Sequence, residues 1–312
     1  MFDIRNMRFT YTCMLSILDL QKGGRKMSEF KSNILILFVT ICWGSSYLFM
    51  KIGLGTISEF NLIALRFGIA FVLAALLFYQ RMKQLDYTTL KFSMLLGFIL
   101  FIVFTTITFG LKTTSTSNAG FLVSLTVIFV PLINVFVLRT MIERKTMISI
   151  LGALFGIALL TIQSPFQVAI GDILCIIGAF FYALHITIVG VVSNKVDSLN
   201  LGITQLGFAG LFGFIFSLLF ESPILPKTAE GWFAISMLSI LCSAIGFILQ
   251  TVAQKYTTPT RTGLIFSMEP VFAALFGFLF LQEIMSGKNI LGAVIVLFSI
   301  FLTTVKRKAS PD

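Results

Sequence analysis

Lys112-Thr113-Thr114-Ser115-Thr116-Ser117-Asn118-Ala119-Gly120 opens one apolar run of this chain, and Lys255-Tyr256-Thr257-Thr258-Pro259-Thr260-Arg261-Thr262-Gly263 opens another. Each copy continues through a proline, Pro131 or Pro270, to a glutamate, Glu143 or Glu283, and a glycine follows nine positions later, Gly152 or Gly292. Self-similarity at a period near 140 residues marks a duplication.

What was duplicated follows from composition. The chain of 312 residues is 57% hydrophobic and 12% charged, where soluble domains carry roughly 25% charged residues. Its 35 phenylalanines exceed what a water-soluble fold can bury. Ten apolar stretches, spans 1 to 10, cover 33–50, 60–80, 92–111, 119–138, 147–163, 173–192, 201–220, 232–253, 263–281 and 289–305. Each has 17 to 22 residues. At about 1.5 Å rise per residue that matches a hydrocarbon core of roughly 30 Å. Backbone groups in lipid must bond within their own segment, so the spans are helices. The expected fold class is an all-α polytopic membrane protein with ten transmembrane helices.

The formal charge of +10 is distributed by side rather than gathered into a nucleic-acid surface. With the N-terminus inside, Arg81, Lys83, Lys91, Arg139, Arg144, Lys145, Lys195, Lys255, Arg261, Lys306, Arg307 and Lys308 fall inside. Only Lys51, Lys112, Lys227 and Lys288 fall outside. That is the positive-inside pattern, and it places both termini in the cytoplasm of a cell bounded by this membrane. The expected partners are the lipid bilayer and a small-molecule substrate, with no nucleic acid. Monomer and homodimer both remain open.

Cys13, Cys42, Cys175 and Cys242 have no pairing or metal spacing, and His185 is the one histidine. No metal and no cofactor are expected. Residues 1–31 read as a polar, basic cytoplasmic tail. The run Lys22-Gly23-Gly24-Arg25-Lys26 before Met27 can be encoded by purine-rich codons resembling a ribosome-binding site. Residues 1–26 are therefore either a real tail or the product of a start assigned upstream of Met27.

The halves, 33–163 and 171–305, contain five spans each. Tandem copies of a five-helix unit enter the membrane from opposite sides, which makes the repeat inverted. Inverted repeats can exchange conformations about a midplane site, the architecture of a secondary transporter. Gly120 precedes Pro131 by eleven positions but Gly263 precedes Pro270 by seven. Proline kinks a helix, so spans 4 and 9 are expected to bend at depths one turn apart.

Trp43-Gly44-Ser45-Ser46-Tyr47 with Lys51, and Ala64-Leu65-Arg66-Phe67, resemble the opening of an EamA domain. Ala253-Gln254-Lys255-Tyr256-Thr257-Thr258-Pro259, Ser267-Met268-Glu269-Pro270 and Leu281-Gln282-Glu283 are similar to its closing motif. The resemblance covers nearly all of 33–305 and implies the drug/metabolite transporter superfamily. Its members commonly have two such domains and ten helices. The implied activity is export or uptake of amino acids, other metabolites or drugs through a central cavity. The first half departs from the closing motif by carrying Ser124-Leu125-Thr126-Val127, so the Glu-Pro pair occurs once.

Glu269 lies inside span 9, where an uncompensated charge costs about 2.5–3.5 kcal/mol or more. It reads as a protonatable or substrate-binding carboxylate, or as a carboxylate bonded to backbone freed by Pro270. Trp43, Tyr47 and Lys51 form a stripe at four-residue spacing, either a cavity wall or, for Lys51, a snorkelling end. Arg66 is expected to pair with Glu59 or snorkel, with anion binding as the alternative. His185 shares a face with Tyr182 and is either a proton carrier or a hydrogen-bonded packing residue. Gln250, Gln254 and Asn118 are either substrate contacts or interhelical bonds. A secondary transporter is the first reading, favouring export. A channel or scaffold, or a membrane-embedded enzyme, are the alternatives. The enzyme would need converging acids, histidines or a nucleophile–base pair, and no span holds two carboxylates. No Gly-x-x-x-x-Gly-Lys-Ser/Thr loop is present to bind ATP.

Overall fold

The computed structural model of the chain describes residues 27–114, 116–139, 141–161, 169–281 and 287–304. The tail before Met27, the linker between the halves and Glu283 lie outside the described residues. So does the side chain of Asn118. Among the described residues every regular element is a helix.

Five spans start on a side chain that caps the free backbone N–H groups of the first turn. Ser28, Asp86, Asp197, Thr228 and Thr258 take hydrogen bonds from Lys31, Thr89, Asn200, Gly231 and Arg261 respectively. Span 1 runs Glu29–Gly44 and Ser46–Leu54, span 2 Glu59–Leu77, span 3 Tyr87–Gly110, and span 4 Thr116–Val123 and Thr126–Leu138. Span 5 is Arg144–Thr161, span 6 Ile170–Val192 and span 7 Ser198–Phe220. Span 8 runs Ala229–Met237, a π-helix Leu238–Ile245, and Gly246–Gln254. Span 9 is Pro259–Phe266 and Glu269–Leu281, and span 10 is Gly287–Thr304. Seven of these helices are long and apolar enough to cross a bilayer, and Ile290–Leu302 in span 10 is a shorter apolar helix. Leu76, Phe136, Leu219, Phe220 and Phe301 stand exposed on the outer surface, as lipid-facing side chains should.

Spans 2, 7, 3, 6, 4, 9, 1 and 8 pack in that order into a closed ring, span 8 returning to span 2. Span 5 pairs with span 10 beside spans 4 and 9. The packing repeats when each span is exchanged for the one five later. Span 3 packs on 6 and 7 as span 8 packs on 1 and 2, while 2 with 7, 4 with 9 and 5 with 10 are self-paired. A pseudo-twofold axis therefore relates the halves. With five helices per half it lies in the membrane plane.

Individual bonds repeat too. Asn33 accepts from the Thr257 hydroxyl at 2.9 Å. Asp172, 139 positions after Asn33, accepts from the hydroxyl of Thr114, 143 positions before Thr257. Asn61 donates to the Ile224 carbonyl at 2.6 Å, and Asn200, again 139 positions on, donates to the Arg81 carbonyl at 3.1 Å. Ser32 donates to the Ala253 carbonyl, and its equivalent Gly171 packs on the Gly110 carbonyl in the space a side chain would need. All of these bonds join one half to the other.

The proline expectation is corrected. Both span 4 and span 9 break at equivalent positions, after Val123 and after Phe266, so the bends lie at the same depth. At each break the chain tightens into bonds of shorter reach, Leu125 to Leu122 and Met268 to Ile265. The serine hydroxyls of Ser124 and Ser267 turn back onto Gly120 and Leu264. The N-terminal piece of each span packs on the C-terminal piece of the other, so the crossing of 4 with 9 sets the position. Pro270 sits just past its break, where the equivalent Val127 donates to Ser124. Pro131 stands inside the helix Thr126–Leu138 without interrupting it.

Candidate functional site

The ring closes around one central cavity at the level of the helix breaks. Span 1 contributes Trp43, Ser46, Tyr47 and Met50, whose i, i+3, i+4, i+7 spacing puts them on one helical face. Spans 2 and 3 contribute Arg66, Val103, Phe104 and Ile107, and spans 4, 6, 8 and 9 contribute Val123, Tyr182, Phe247 and Glu269. The walls leave free space for little more than a water molecule. Bonds between the halves fasten both faces of the ring in this conformation.

Trp43 is the hub of the wall. Its ring lies 4.9 Å from those of Phe247 and Phe266 and 5.9 Å from that of Tyr182, centroid to centroid. Its indole N–H donates to the Cys242 carbonyl at 2.7 Å, inside the π-helix of span 8. A π-helix widens the hydrogen-bond ladder and frees backbone groups for such contacts. Gly246 makes the approach possible, since a Cβ there would stand 2.6 Å from the indole nitrogen. Tyr182 stacks on Phe266 with ring centroids 6.0 Å apart.

Two opposite charges face this cavity. Glu269 is the first residue of the second helix of span 9, where the N-terminal dipole favours a carboxylate. It is 7% exposed, and the Tyr47 hydroxyl is within hydrogen-bonding reach of it. Arg66 is 1% exposed. Its Nε donates to the Ser243 hydroxyl at 2.7 Å and Nη1 points at the Met50 sulfur at 3.4 Å. The guanidinium stacks over Phe104, 4.2 Å from the centroid. Among the described residues the buried Tyr182 hydroxyl has no hydrogen-bond partner.

The expected Arg66–Glu59 pair is corrected. Glu59 pairs with Lys112 at 2.5 Å instead. Seven residues along a helix is about 10.5 Å of rise, too far for contact, and the sharing of a face does not shorten it. The Glu59 hydrogen bond and charge raise the Lys112 ammonium above its ordinary value. Lys51 stands exposed at the end of span 1, away from Trp43 and Tyr47.

His185, Gln250 and Gln254 sit outside the cavity, His185 and Gln254 in bonds between spans and Gln250 in a bond within span 8. His185 Nε2 meets Gln205 Oε1 at 2.9 Å, and Gln205 donates to Thr251 at 2.9 Å, joining spans 6, 7 and 8. Gln250 donates to Gln254, which donates to the Ile186 carbonyl at 3.0 Å. Pro131 and Pro270 are both buried. Of the lining residues that sequence reasoning did not single out, Ser46 and Met50 were legible as one and two turns beyond Trp43 on its face. Phe104 and Phe247 carried no distinguishing signal among 35 phenylalanines.

A ring of membrane helices with an in-plane pseudo-twofold around a charged central cavity defines an inverted-repeat membrane protein. The chain belongs to the EamA-like transporter family, whose model matches it twice, over residues 30–162 and 169–305. An "Uncharacterized transporter" of Archaeoglobus fulgidus is 28% identical over 300 residues, covering 94% of this chain and 92% of that protein. A second from the same organism is 25% identical, with 89% and 98% covered. "Uncharacterized transporter YetK" of Bacillus subtilis is 26% identical, with 86% and 85% covered. A solved chain described as "Crystal structure of protein" is 17% identical and covers 88% of this chain and 96% of that one. Its TM-score is 0.74, so it shares the fold.

Proposed function

We propose that this transporter moves small organic metabolites across the cytoplasmic membrane by alternating access, with both termini in the cytoplasm and export as the working direction. The carrying observation is the closure of both faces by symmetry-equivalent bonds around one cavity. Equivalent latches can be released one at a time, and the cavity then opens to one side only. The units 33–163 and 171–305 supply the two latches between them, and the breaks of spans 4 and 9 are the pivots.

In this reading Trp43, Tyr47 and Tyr182 form the substrate wall, Glu269 and Arg66 its polar ends. His185, Gln250 and Gln254 hold spans 6, 7 and 8 together, and Asn118 lies at the entrance of span 4. Glu59 with Lys112, and the end charge Lys51, belong to the face opposite the termini. The orientation rests on the placement of the basic residues; the resemblance allows export or uptake, and export is the direction proposed.

The test begins with metabolite profiles of cells with and without the protein. The compound that accumulates on deletion is then used for counterflow in proteoliposomes. Counterflow that needs the protein and saturates is the expected result. Linear, non-saturating flux would favour a channel, and no flux of any differential metabolite would remove the proposal.

A further inference from the structure

The cavity breaks the pseudo-twofold that governs the helices around it. Trp43 and Tyr182 are equivalent under that axis, as are Phe104 and Phe247, and all four line the cavity. Thr108 and Thr251 mark the equivalence, each bonding to the carbonyl one turn earlier, of Phe104 and Phe247 respectively. Ser46, Arg66 and Ile107 line the cavity too. Their equivalents His185, Gln205 and Gln250, which lie 139, 139 and 143 positions on, do not. The free space is therefore one lobe on the side of the first half, without its twin.

The twin lobe is filled from within. Where the first half has the short Ser46, the second has the His185 imidazole, fully buried and joined to Gln205 at 2.9 Å. Gln205 gives its amide N–H to Thr251, so its carbonyl faces the ring; His185 Nε2 donates and Nδ1 is left as an acceptor. Among the described residues neither His185 Nδ1 nor Gln250 Oε1 has a hydrogen-bond partner. Packing cores satisfy such atoms, so this corner keeps the polar lining of a site although its own side chain occupies it. The imidazole also backs the cavity wall, its centroid 6.1 Å from those of the lining rings Tyr182 and Phe247. From this we infer that His185 is a positioning residue that sets cargo size. It plugs a second lobe and props Tyr182 and Phe247 forward, which confines cargo to the lobe of Ser46, Arg66 and Ile107. The inference rests on the transport reading and deepens it.

The test uses detergent-purified, full-length protein without native cysteines and with Ser46→Cys as reporter. The probes are N-methylmaleimide and N-benzylmaleimide, and the reading is the ratio of their labelling rates. Both reagents need the same opening, so a change in gating or overall stability cancels from that ratio. His185→Ala should raise the benzyl rate relative to the methyl rate at least about tenfold, the scale on which a pocket discriminates by a methylene or more. Neutral imidazole should then refill the lobe, as small molecules fill engineered cavities, and return the ratio toward that of the protein with His185. Adding Gln205→Leu should remove the effect of imidazole, because the ring loses its hydrogen-bond partner. Where alanine does not fold, His185→Asn keeps a polar partner for Gln205 in a smaller volume and should raise the ratio by less. A ratio unchanged in the folded variant, or raised but insensitive to imidazole in His185→Ala, overturns the inference. If a compound shows counterflow while the ratio stays fixed, transport stands and the plug falls. If imidazole reverses a raised ratio but no compound shows counterflow, the lobe stands and transport falls.

Discussion

The face that carries the N-terminus and the face opposite are fastened by the same device built from different residues. On the N-terminal face Thr257 holds Asn33, a neutral amide, and Glu29 pairs with Arg261 across the halves. On the opposite face Thr114 holds Asp172, a carboxylate that also accepts from the Ala169 N–H at 2.8 Å. The positions equivalent to Glu29 and Arg261 are Val168 and Asn118, so no ion pair can form there. An ion pair on that face, Glu59 with Lys112, joins the ends of spans 2 and 3 of the same half. One latch therefore depends on an exposed ion pair added to a neutral bond. The other has a part-buried charge-assisted bond in the equivalent place. Under the proposed alternating access, symmetry would fix where the gates lie and sequence divergence how each is released.

That comparison can be broken most strongly at Asp172, which is 6% exposed. Asp172→Ala removes a charge-assisted acceptor worth about 1.5–3 kcal/mol, so the opposite face should open roughly tenfold to a hundredfold more often. The measurement is labelling of Ser46→Cys, a cavity position, by a membrane-impermeant maleimide from that side, in a background without native cysteines. Next in size are the twin asparagines. Asn61→Ala and Asn200→Ala each lose one neutral bond of about 0.5–1.5 kcal/mol. They should shift the same labelling by similar factors toward opposite sides. A shift toward the same side would show that the pseudo-twofold does not govern gating. Glu29→Gln should have a smaller effect, since Glu29 and Arg261 are about one-third exposed and such pairs contribute about 0.2–1 kcal/mol. It should favour opening on the N-terminal face. The smallest effect expected is that of salt. Raising ionic strength should weaken the N-terminal latch and leave the Asp172 latch nearly unmoved, because screening acts on exposed charges. Equal salt responses at the two faces would contradict the assignment.

The sequence exposed the ten spans and their duplication because membrane crossing demands long apolar runs, and those are visible without contacts. Lys112 and Lys255 also flagged the right segments, since the loops they begin carry the two latch threonines, Thr114 and Thr257. The breaks do not follow the prolines. They arise where spans 4 and 9 cross, which only tertiary structure reveals. Glu269 and Arg66 were conspicuous as charges within apolar runs. His185, Gln250 and Gln254 were equally conspicuous, yet they bond protein groups outside the cavity, Gln250 on its own span and the other two across spans. Polarity in a span says that a side chain needs a partner; it does not say whether that partner is protein or cargo. The pairing of Glu59 with Lys112 links the ends of two spans, and no spacing rule within one helix could have supplied it.

Alternate release of the two latches is tested most directly by locking each in turn. In a background without native cysteines, one variant carries cysteines at Asn33 and Thr257 and a second carries them at Thr114 and Asp172. A short bifunctional thiol reagent then joins each pair in proteoliposomes. Either cross-link should abolish counterflow. The first should leave Ser46→Cys open to reagent only from the face opposite the termini, and the second only from the N-terminal face. Counterflow that persists with either pair joined, or labelling from the same side in both, would contradict the account.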